Sequence, residues 1–440
     1  MSAQSGFLRF SKTPLIRPPL VWGVLLIISL SAVSGTAFAQ TRLKPKPKTE
    51  LIQEELLVKD SSGALVNVDT QSSLIFDDRA PAVFPTTERI VVIGDIHGDY
   101  DQFVQVLKDT GLVDAKLKWQ AGDTHLVQMG DVVDRGDGSK KAIDLLRQLE
   151  TEARAAGGYV HTLVGNHEAL NIAGDLRYVT PGEFAAYRTK KSKATRNAYY
   201  KQTIAAIKAR TPKEELPKFD KAYRKAWEAK VPLGYVEHRR AWSNSGIYGK
   251  WVSKNPAIIK IGRTMFLHGG IGPAYATSSL EELNEQISNE LASSTPLTQQ
   301  SLSFQSEGPL WYRGFANPSR GKAEEILHLE KVLKNFDVDR IVVAHTPIAG
   351  AIVPLFDSRV VATDVGLAAH YGARRAALLI EGDQLTAIHR GRPLVLPSSD
   401  AGVPDYLAEA AKLDPKPSPA KRYAKQFQKL FLEDKTAAAK

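Results

Sequence analysis

Short apolar, β-rich runs recur along this chain, each ending in Gly, Asp, Asn or His: Arg89 to Ile93, His125 to Met129, Tyr159 to Val164, Met265 to Leu267 and Ile341 to Ala344. Runs of this length and composition, bounded by turn residues, predict strands. Between several of them the apolar spacing changes to a helical one, as over Tyr100 to Asp109 and Lys140 to Ala155. Strand and helix therefore alternate, the pattern of an α/β domain. In open α/β sheets ligands gather beyond the carboxyl ends of the strands, and the unusual polar residues of this chain stand at those ends.

The alternation lapses between Leu170 and Tyr235. There a helical stretch rich in Lys and Arg includes Arg188, Lys190, Lys191, Lys193 and Arg196, and from Arg188 to Arg240 sixteen Lys/Arg stand against five Asp/Glu. Such a segment is either a solvated helical cap or an electrostatic lip that draws anionic substrate to a cleft. From Ala401 onward the chain is a Pro- and Lys-containing tail with a short amphipathic helix expected around Tyr423 to Leu432 and no catalytic role.

At the start, Arg9, Lys12 and Arg17 precede an apolar run from Leu20 to Val33, and Ala37-Phe38-Ala39 follows. Charged, apolar and small-residue regions in that order predict a secretory signal cleaved after Ala39, and so an exported, periplasmic protein. The rival reading is an uncleaved inner-membrane anchor, because the run approaches the ~20 residues that span a bilayer. The Lys/Pro alternation from Lys44 to Lys48 predicts an extended spacer. The expected organisation is signal peptide 1–39, linker 40–85, catalytic domain 86–395 with a helical insertion at 170–235, and basic tail 396–440.

With 43% hydrophobic and 24% charged residues, the 440-residue chain has the composition of a soluble globular protein. Its charge is +10, and loss of Arg9, Lys12 and Arg17 with the signal leaves +7. Cysteine is absent, which rules out a disulfide framework and any thiolate route to phosphate ester cleavage.

Five motifs follow the apolar runs in order: Gly94-Asp95-Ile96-His97-Gly98, Gly130-Asp131-Val132-Val133-Asp134-Arg135-Gly136, Gly165-Asn166-His167-Glu168, His268-Gly269-Gly270 and Ala344-His345-Thr346-Pro347. Singly, each is an ordinary turn or a structural histidine. Together, Asp95, His97, Asp131, Asn166, His268 and His345 supply oxygen and imidazole donors suited to borderline divalent metals. Asp131, central in the order, is the natural bridge between two ions about 3.5 to 4 Å apart, the spacing that clamps in-line displacement at phosphorus. A hydroxide shared by the two ions is the expected nucleophile. His167, adjacent to a ligand, is placed to protonate the leaving oxygen, with Asp134 to orient it or to support the ligands. Arg135 is the expected planar fork for phosphate, and Arg313 in Gly308-Pro309-Leu310-Trp311-Tyr312-Arg313-Gly314 is a second, unless it merely stacks on Trp311. Tyr312 is expected on the same wall. The remaining histidines, His125, His161, His238, His328, His370 and His389, read as structural or surface residues.

The order and wording of these motifs, from about Arg89 to Gly366, resemble the metal-dependent phosphoprotein phosphatases of the calcineurin-like metallophosphoesterase class. That resemblance implies a β-sandwich flanked by helices. It also implies Asp95, His97 and Asp131 on one metal, Asp131, Asn166, His268 and His345 on the other, Arg135 and Arg313 with Asn166 at the phosphate, and His167 with Asp134 as the acid couple. GPLWYRG, AHTP and Asp364-Val365-Gly366 are similar to the Shewanella-like protein phosphatase branch, which includes enzymes for phosphotyrosine and for phosphoserine or phosphothreonine. The basic insertion and the export signal depart from that branch.

The expected function is a dinuclear-metal phosphomonoesterase acting on phosphoprotein, with Mn, Fe or Zn as the ions and Mn foremost. A hydrolase of small phosphates or dinucleoside polyphosphates is the alternative, and a non-catalytic anion-binding protein the remote one. No nucleic-acid partner is expected, since the basic segment lacks a pattern of interleaved stacking residues, and no stable membrane insertion if the signal is cleaved.

Overall fold

The computed structural model describes residues 79–316 and 322–438, and before them two short strands, β1 (Leu57–Lys59) and β2 (Leu65–Asn67), that pair with each other antiparallel. The signal, its cleavage site and the Lys44–Lys48 spacer lie outside the described residues. The region read as a linker contains that hairpin and also β3 (Val83–Phe84).

In chain order there follow β4 (Arg89–Ile93), α1 (Tyr100–Asp109), β5 (His125–Gln128), α2 (Ser139–Ala155), β6 (Tyr159–Thr162) and α3 (Asn166–Ala173). A helical stretch comes next: α4 (Pro181–Ala186), α5 (Ser192–Arg210), α6 (Lys221–Lys230), α7 (Tyr235–Ala241) and α8 (Ile247–Val252). Strands resume with β7 (Ile258–Ile261) and β8 (Thr264–Leu267), then α9 (Leu280–Ala292), α10 (Lys322–Phe336), β9 (Arg340–Val343), β10 (Val353–Leu355) and β11 (Val360–Ala362). β12 (Ala376–Glu381), β13 (Gln384–His389), β14 (Arg392–Val395), α11 (Val403–Leu413) and α12 (Pro419–Ala438) complete the chain.

The strands form two six-stranded mixed sheets, β10-β11-β9-β8-β7-β3 and β14-β13-β12-β4-β5-β6. β4, β5 and β6 run parallel, joined through α1 and α2, and β8, β9 and β11 run parallel in the other sheet. The residues of β4 explain its place: Ile90, Val91, Val92 and Ile93 are all buried, the uniform aliphatic run of a strand covered on both faces. Phe266 and Leu267 of β8, and Ile341 to Val343 of β9, are fully buried in the same core. Parallel pairing matters for function because it sends several carboxyl ends, and the loops that follow them, to one end of the sheets.

The helix starts are set locally. The Asp99 side chain accepts from Gln102 N at 3.2 Å to cap α1, and Thr180 caps α4 with Pro181 in its first turn. The tail differs from expectation. α11 and α12 form a helix pair that buries Tyr406, Leu407, Ala420 and Phe427 in the main core, and the short helix expected over Tyr423 to Leu432 is the middle of a longer one.

Candidate active site

The five motifs occupy the loops directly beyond β4, β5, β6, β8 and β9, and backbone hydrogen bonds tie those loops together. Ile96 N and His97 N both donate to Asp131 O, at 3.0 and 2.9 Å, and Ala344 N donates to His268 O at 2.8 Å. Gly130 shows how closely they approach: at φ +87°, a Cβ there would stand 2.5 Å from Gly165 N. Five non-glycine motif residues also have left-handed backbone: His97 (φ 47°), Asp131 (53°), Asp134 (71°), Arg135 (65°) and His345 (66°). Each costs on the order of 1–2 kcal/mol. Such strain persists where the surroundings over-determine a geometry that function needs.

Asp131 is the hub. Its Oδ2 lies 3.7 Å from His97 Nε2, 3.3 Å from His268 Nε2 and 3.8 Å from His167 Nε2. Asp95 Oδ2 is 3.6 Å from His97 Nε2, and Asp95 Oδ1 accepts from His345 N at 3.2 Å. Asn166 Oδ1 is 3.0 Å from His268 Nε2. The structure thus brings together all six residues read as ligands.

The chemistry of these atoms fits divalent cations. His97 Nδ1 faces Val133 O at 3.0 Å and His268 Nδ1 faces Met129 O at 2.8 Å; a carbonyl only accepts, so each Nδ1 carries the proton. Each Nε2 then presents a lone pair to carboxylate or amide oxygens, an opposition that a cation between them reconciles. His345 Nε2 is buried and, among the described residues, has no hydrogen-bond partner. Two donor sets lie within 4.8 Å internally, His97–Asp131–His167 and Asp131–His268–His345, and they share Asp131. His167 is thus within reach of the first set, but His167 Nδ1 is 2.6 Å from Asp134 Oδ2. Asp134 in turn accepts from Asn171 Nδ2 at 3.0 Å.

The electrostatics agree. Burial, then the neighbouring Asp364 and Asp131 carboxylates, raise Asp95 well above the usual carboxylate range. Burial pushes Asp364 up to about 6 and, with the charge of Asp131 adding to it, Glu168 up to about 7. Burial lowers His97 to about 3 and also lowers His345. At Asp131 burial works the other way, yet the adjacent His268 and His167 outweigh it and hold the carboxylate well below its ordinary range. Burial likewise opposes protonation of His167, but Asp131 and the Asp134 hydrogen bond raise its proton affinity. A buried group of carboxyls beside His97 and His345, both held neutral by burial, is under-supplied with positive charge.

A model of the calcineurin-like phosphoesterase family matches residues 88–349. The chain belongs to that family. It is a metal-dependent phosphatase, and divalent metals suit its His/Asp groups. An uncharacterized Schizosaccharomyces pombe protein is 31% identical over 321 residues, 70% of this chain and 82% of that one. Shewanella-like protein phosphatase 2 of Arabidopsis thaliana is 33% identical over 207 residues, 46% of this chain and 52% of the plant protein, so the match spans about half of the latter. Among solved structures, the cold-active protein-tyrosine phosphatase of a psychrophile Shewanella sp. has a TM-score of 0.55 and 25% identity, covering 78% of this chain and 90% of that one.

The two arginines of this phosphoesterase flank the donor sets differently. Arg313 is exposed and its Nη1 donates to His345 O and Thr346 Oγ1, both at 2.9 Å. The rival stacking on Trp311 is not what the fold has: Trp311 lies beside Phe304, at 6.4 Å and 29°, and its Nε1 donates to Ser303 O at 2.9 Å. Tyr312 is not on that wall either; it is buried and its hydroxyl donates to Glu325 at 2.7 Å. Position 312 turns inward because the loop carries Gly270 and Phe315 against its ring.

Arg135 is held by residues far away in sequence. Its guanidinium lies 4.5 Å from the Tyr178 ring and 5.3 Å from that of Tyr371, and its Nη1 donates to His370 Nε2 at 3.2 Å. His370, read from sequence as structural or surface, therefore stands at the mouth of the site; only the return of the loop after β11 carries it there. Two further groups stand in motifs quoted from the sequence but were given no role there. Glu168 accepts from Asp131 N, Val132 N and Gly165 N, each at 2.9 Å, and so fixes the loop that carries Asp131. The buried Asp364 carboxyl lies beside Asp95 and raises its proton affinity.

Proposed function

We propose that this phosphatase hydrolyses phosphomonoesters of proteins, phosphotyrosine foremost. The observation that carries the reading is the Asp131 carboxylate common to two donor sets with the His167–Asp134 couple beside it. Asp95, His97 and Asp131 would hold one divalent ion, and Asp131, Asn166, His268 and His345 the other, with manganese foremost. When bound, the ions supply the charge and Lewis acidity that in-line displacement at phosphorus requires.

The chain's own groups do the rest. Arg135 and Arg313 pair with the phosphoryl oxygens, Asn166 serving both the metal and the phosphate. His167 holds a proton at Nε2 for the leaving oxygen, and Asp134 keeps the ring oriented through Nδ1–H. Aromatic residues Tyr178, Tyr371 and Trp311 border the arginines and histidines of the site, and flat surfaces of this kind favour a phenol as the leaving group. The similarity to the Shewanella protein-tyrosine phosphatase supports the same preference. Leu20 to Val33 and the Ala37-Phe38-Ala39 site favour export to the periplasm, so the substrates are envelope phosphoproteins.

Matched phosphotyrosine and phosphoserine peptides test this, offered to the chain from Gln40 after metal removal and manganese resupply, beside Asp131→Asn. Manganese-dependent peptide turnover lost in the variant is expected, with the tyrosine peptide faster. Turnover of free nucleotides without peptides would move the protein to small phosphate esters.

A further inference from the structure

The basic insertion is the part of the molecule that the catalytic reading leaves unused. From Arg188 to Arg240 its sixteen Lys/Arg against five Asp/Glu amount to +11, while the whole chain is +10, so everything else together sums to −1. The positive field of this protein thus belongs to one segment.

That segment is also built unlike the rest. No residue from 193 to 230 is buried, so α5 and α6 form an arm outside the core. The arm holds itself together with aromatic rings: Trp227 lies 4.9 Å from Tyr200 and 6.0 Å from Tyr199, and Arg224 sits 4.3 Å over Tyr200. Its two most enclosed arginines, Arg196 and Arg224, share Glu228, at 3.3 and 2.8 Å. The lysines are left over: among the described residues Lys190, Lys191, Lys193, Lys201, Lys221 and Lys225 are exposed and in no ion pair. Crowded unpaired like charges destabilise a small helical unit, and the arm returns no core packing to offset them.

The arm springs from the border of the site. Tyr178, in the segment leading to it, stacks on Arg135, and the Thr180 hydroxyl bonds Asp137 of the same loop. At its other end Arg239 Nη2 donates to Ile172 O at 3.2 Å, in the helix that begins with Asn166 and His167. A polyanion held on the arm is therefore tethered to the elements that carry Arg135 and His167.

We propose that the α5–α6 arm is the docking surface for acidic sequence flanking the phosphorylated residue of a polypeptide substrate, a proposal that rests on the phosphoprotein reading. A lipid surface fits less well, because an interfacial helix needs a free apolar face. Here Tyr199, Tyr200 and Trp227 are spent on one another and on Tyr235, 6.2 Å from Tyr199.

The test compares two phosphopeptides with the same phosphorylated residue, one with acidic and one with uncharged flanks, alongside p-nitrophenyl phosphate. The protein is the metal-loaded chain and a variant with Lys193, Lys201, Lys221 and Lys225 changed to Gln. The parent is expected to favour the acidic peptide about tenfold in kcat/KM at low ionic strength, as steering allows, and to lose the preference at high salt. The variant loses the preference at low salt and keeps parental turnover of p-nitrophenyl phosphate. No preference in the parent overturns the proposal, as does a preference that survives in the variant. Arm-dependent binding to anionic lipid vesicles without a peptide preference overturns it in favour of a membrane. The parent's salt dependence is informative even if the variant misfolds. Turnover of p-nitrophenyl phosphate with neither peptide cleaved defeats the phosphoprotein reading instead.

Discussion

The strand β5 has a histidine at its start and the hub of the site three residues past its end, and the two ends of the sheets differ instructively. At the amino end His125, His161, Tyr159 and Phe84 make an aromatic cluster: His161 Nε2 and His125 Nδ1 share a hydrogen bond of 3.0 Å, and Tyr159 stacks on His161 at 4.3 Å. At the carboxyl end His97, His167, His268 and His345 crowd as closely, with His97 and His167 rings 4.7 Å apart. What separates the two is the company. The carboxyl end includes Asp95, Asp131, Glu168 and Asp364, all buried; among the described residues no carboxylate bonds His125 or His161. Burial, with His125 and Arg154 adding to it, drives His161 well below its ordinary proton affinity and makes it a neutral packing residue. Histidines suit a metal here because buried carboxylates need a cation, not because they are histidines.

The contrast is most easily broken at Asp131. Asp131→Asn removes the charge common to both donor sets, and turnover and bound metal, read by elemental analysis, are expected to vanish together. An active Asn variant would mean that the donor sets do not share a bridge. His167→Asn separates proton transfer from metal binding: kcat for a poor leaving group should fall about 10³-fold, with metal content unchanged. Loss of metal instead would place His167 among the ligands, as its distance to Asp131 allows.

Glu168→Gln probes the support beneath the hub. A single amide oxygen cannot serve three backbone N–H groups, so metal affinity should drop by about 10–100-fold, as measured by chelator competition. Arg135→Lys keeps the charge but loses the fork between Tyr178 and Tyr371, and should raise KM about tenfold, the worth of one charge-assisted hydrogen bond.

The smallest effect is expected at the amino end, where His161→Phe should leave kcat and KM unaltered. Its signature is in stability. The folded-state pKa of His161 is lowered, so the unfolded chain binds the extra proton, and the stabilisation is present above the unfolded value near 6.5 and lost as pH falls below it. The parent should lose up to about 1.4 kcal/mol per pH unit there from this residue, and the Phe variant should show a flatter Tm against pH between neutral and mildly acidic solution. An activity loss in His161→Phe would erase the distinction between the two ends.

Much of this was readable along the chain. The strands at Arg89–Ile93 and the helix at Tyr100–Asp109 fall where the apolar pattern places them, because both are short-range consequences of side-chain spacing. The six donors and two arginines were legible because glycine and a polar residue at a strand end leave a local mark. His370, Tyr371 and Tyr178 were not, and Asp364 was legible only as part of a motif, without a role. The first three look ordinary among their sequence neighbours and acquire meaning only from the Arg135 they surround, as Asp364 does from Asp95.

By itself, then, the sequence determined the order of strands and helices, the donor inventory and the seat of positive charge, since periodicity, residue type and net charge are properties of the chain alone. Tertiary structure decided which end of the sheets became chemical. Parallel pairing gathered loops from residues 94 to 364 onto Asp131, and only there did burial set carboxyls against imidazoles closely enough to require a cation.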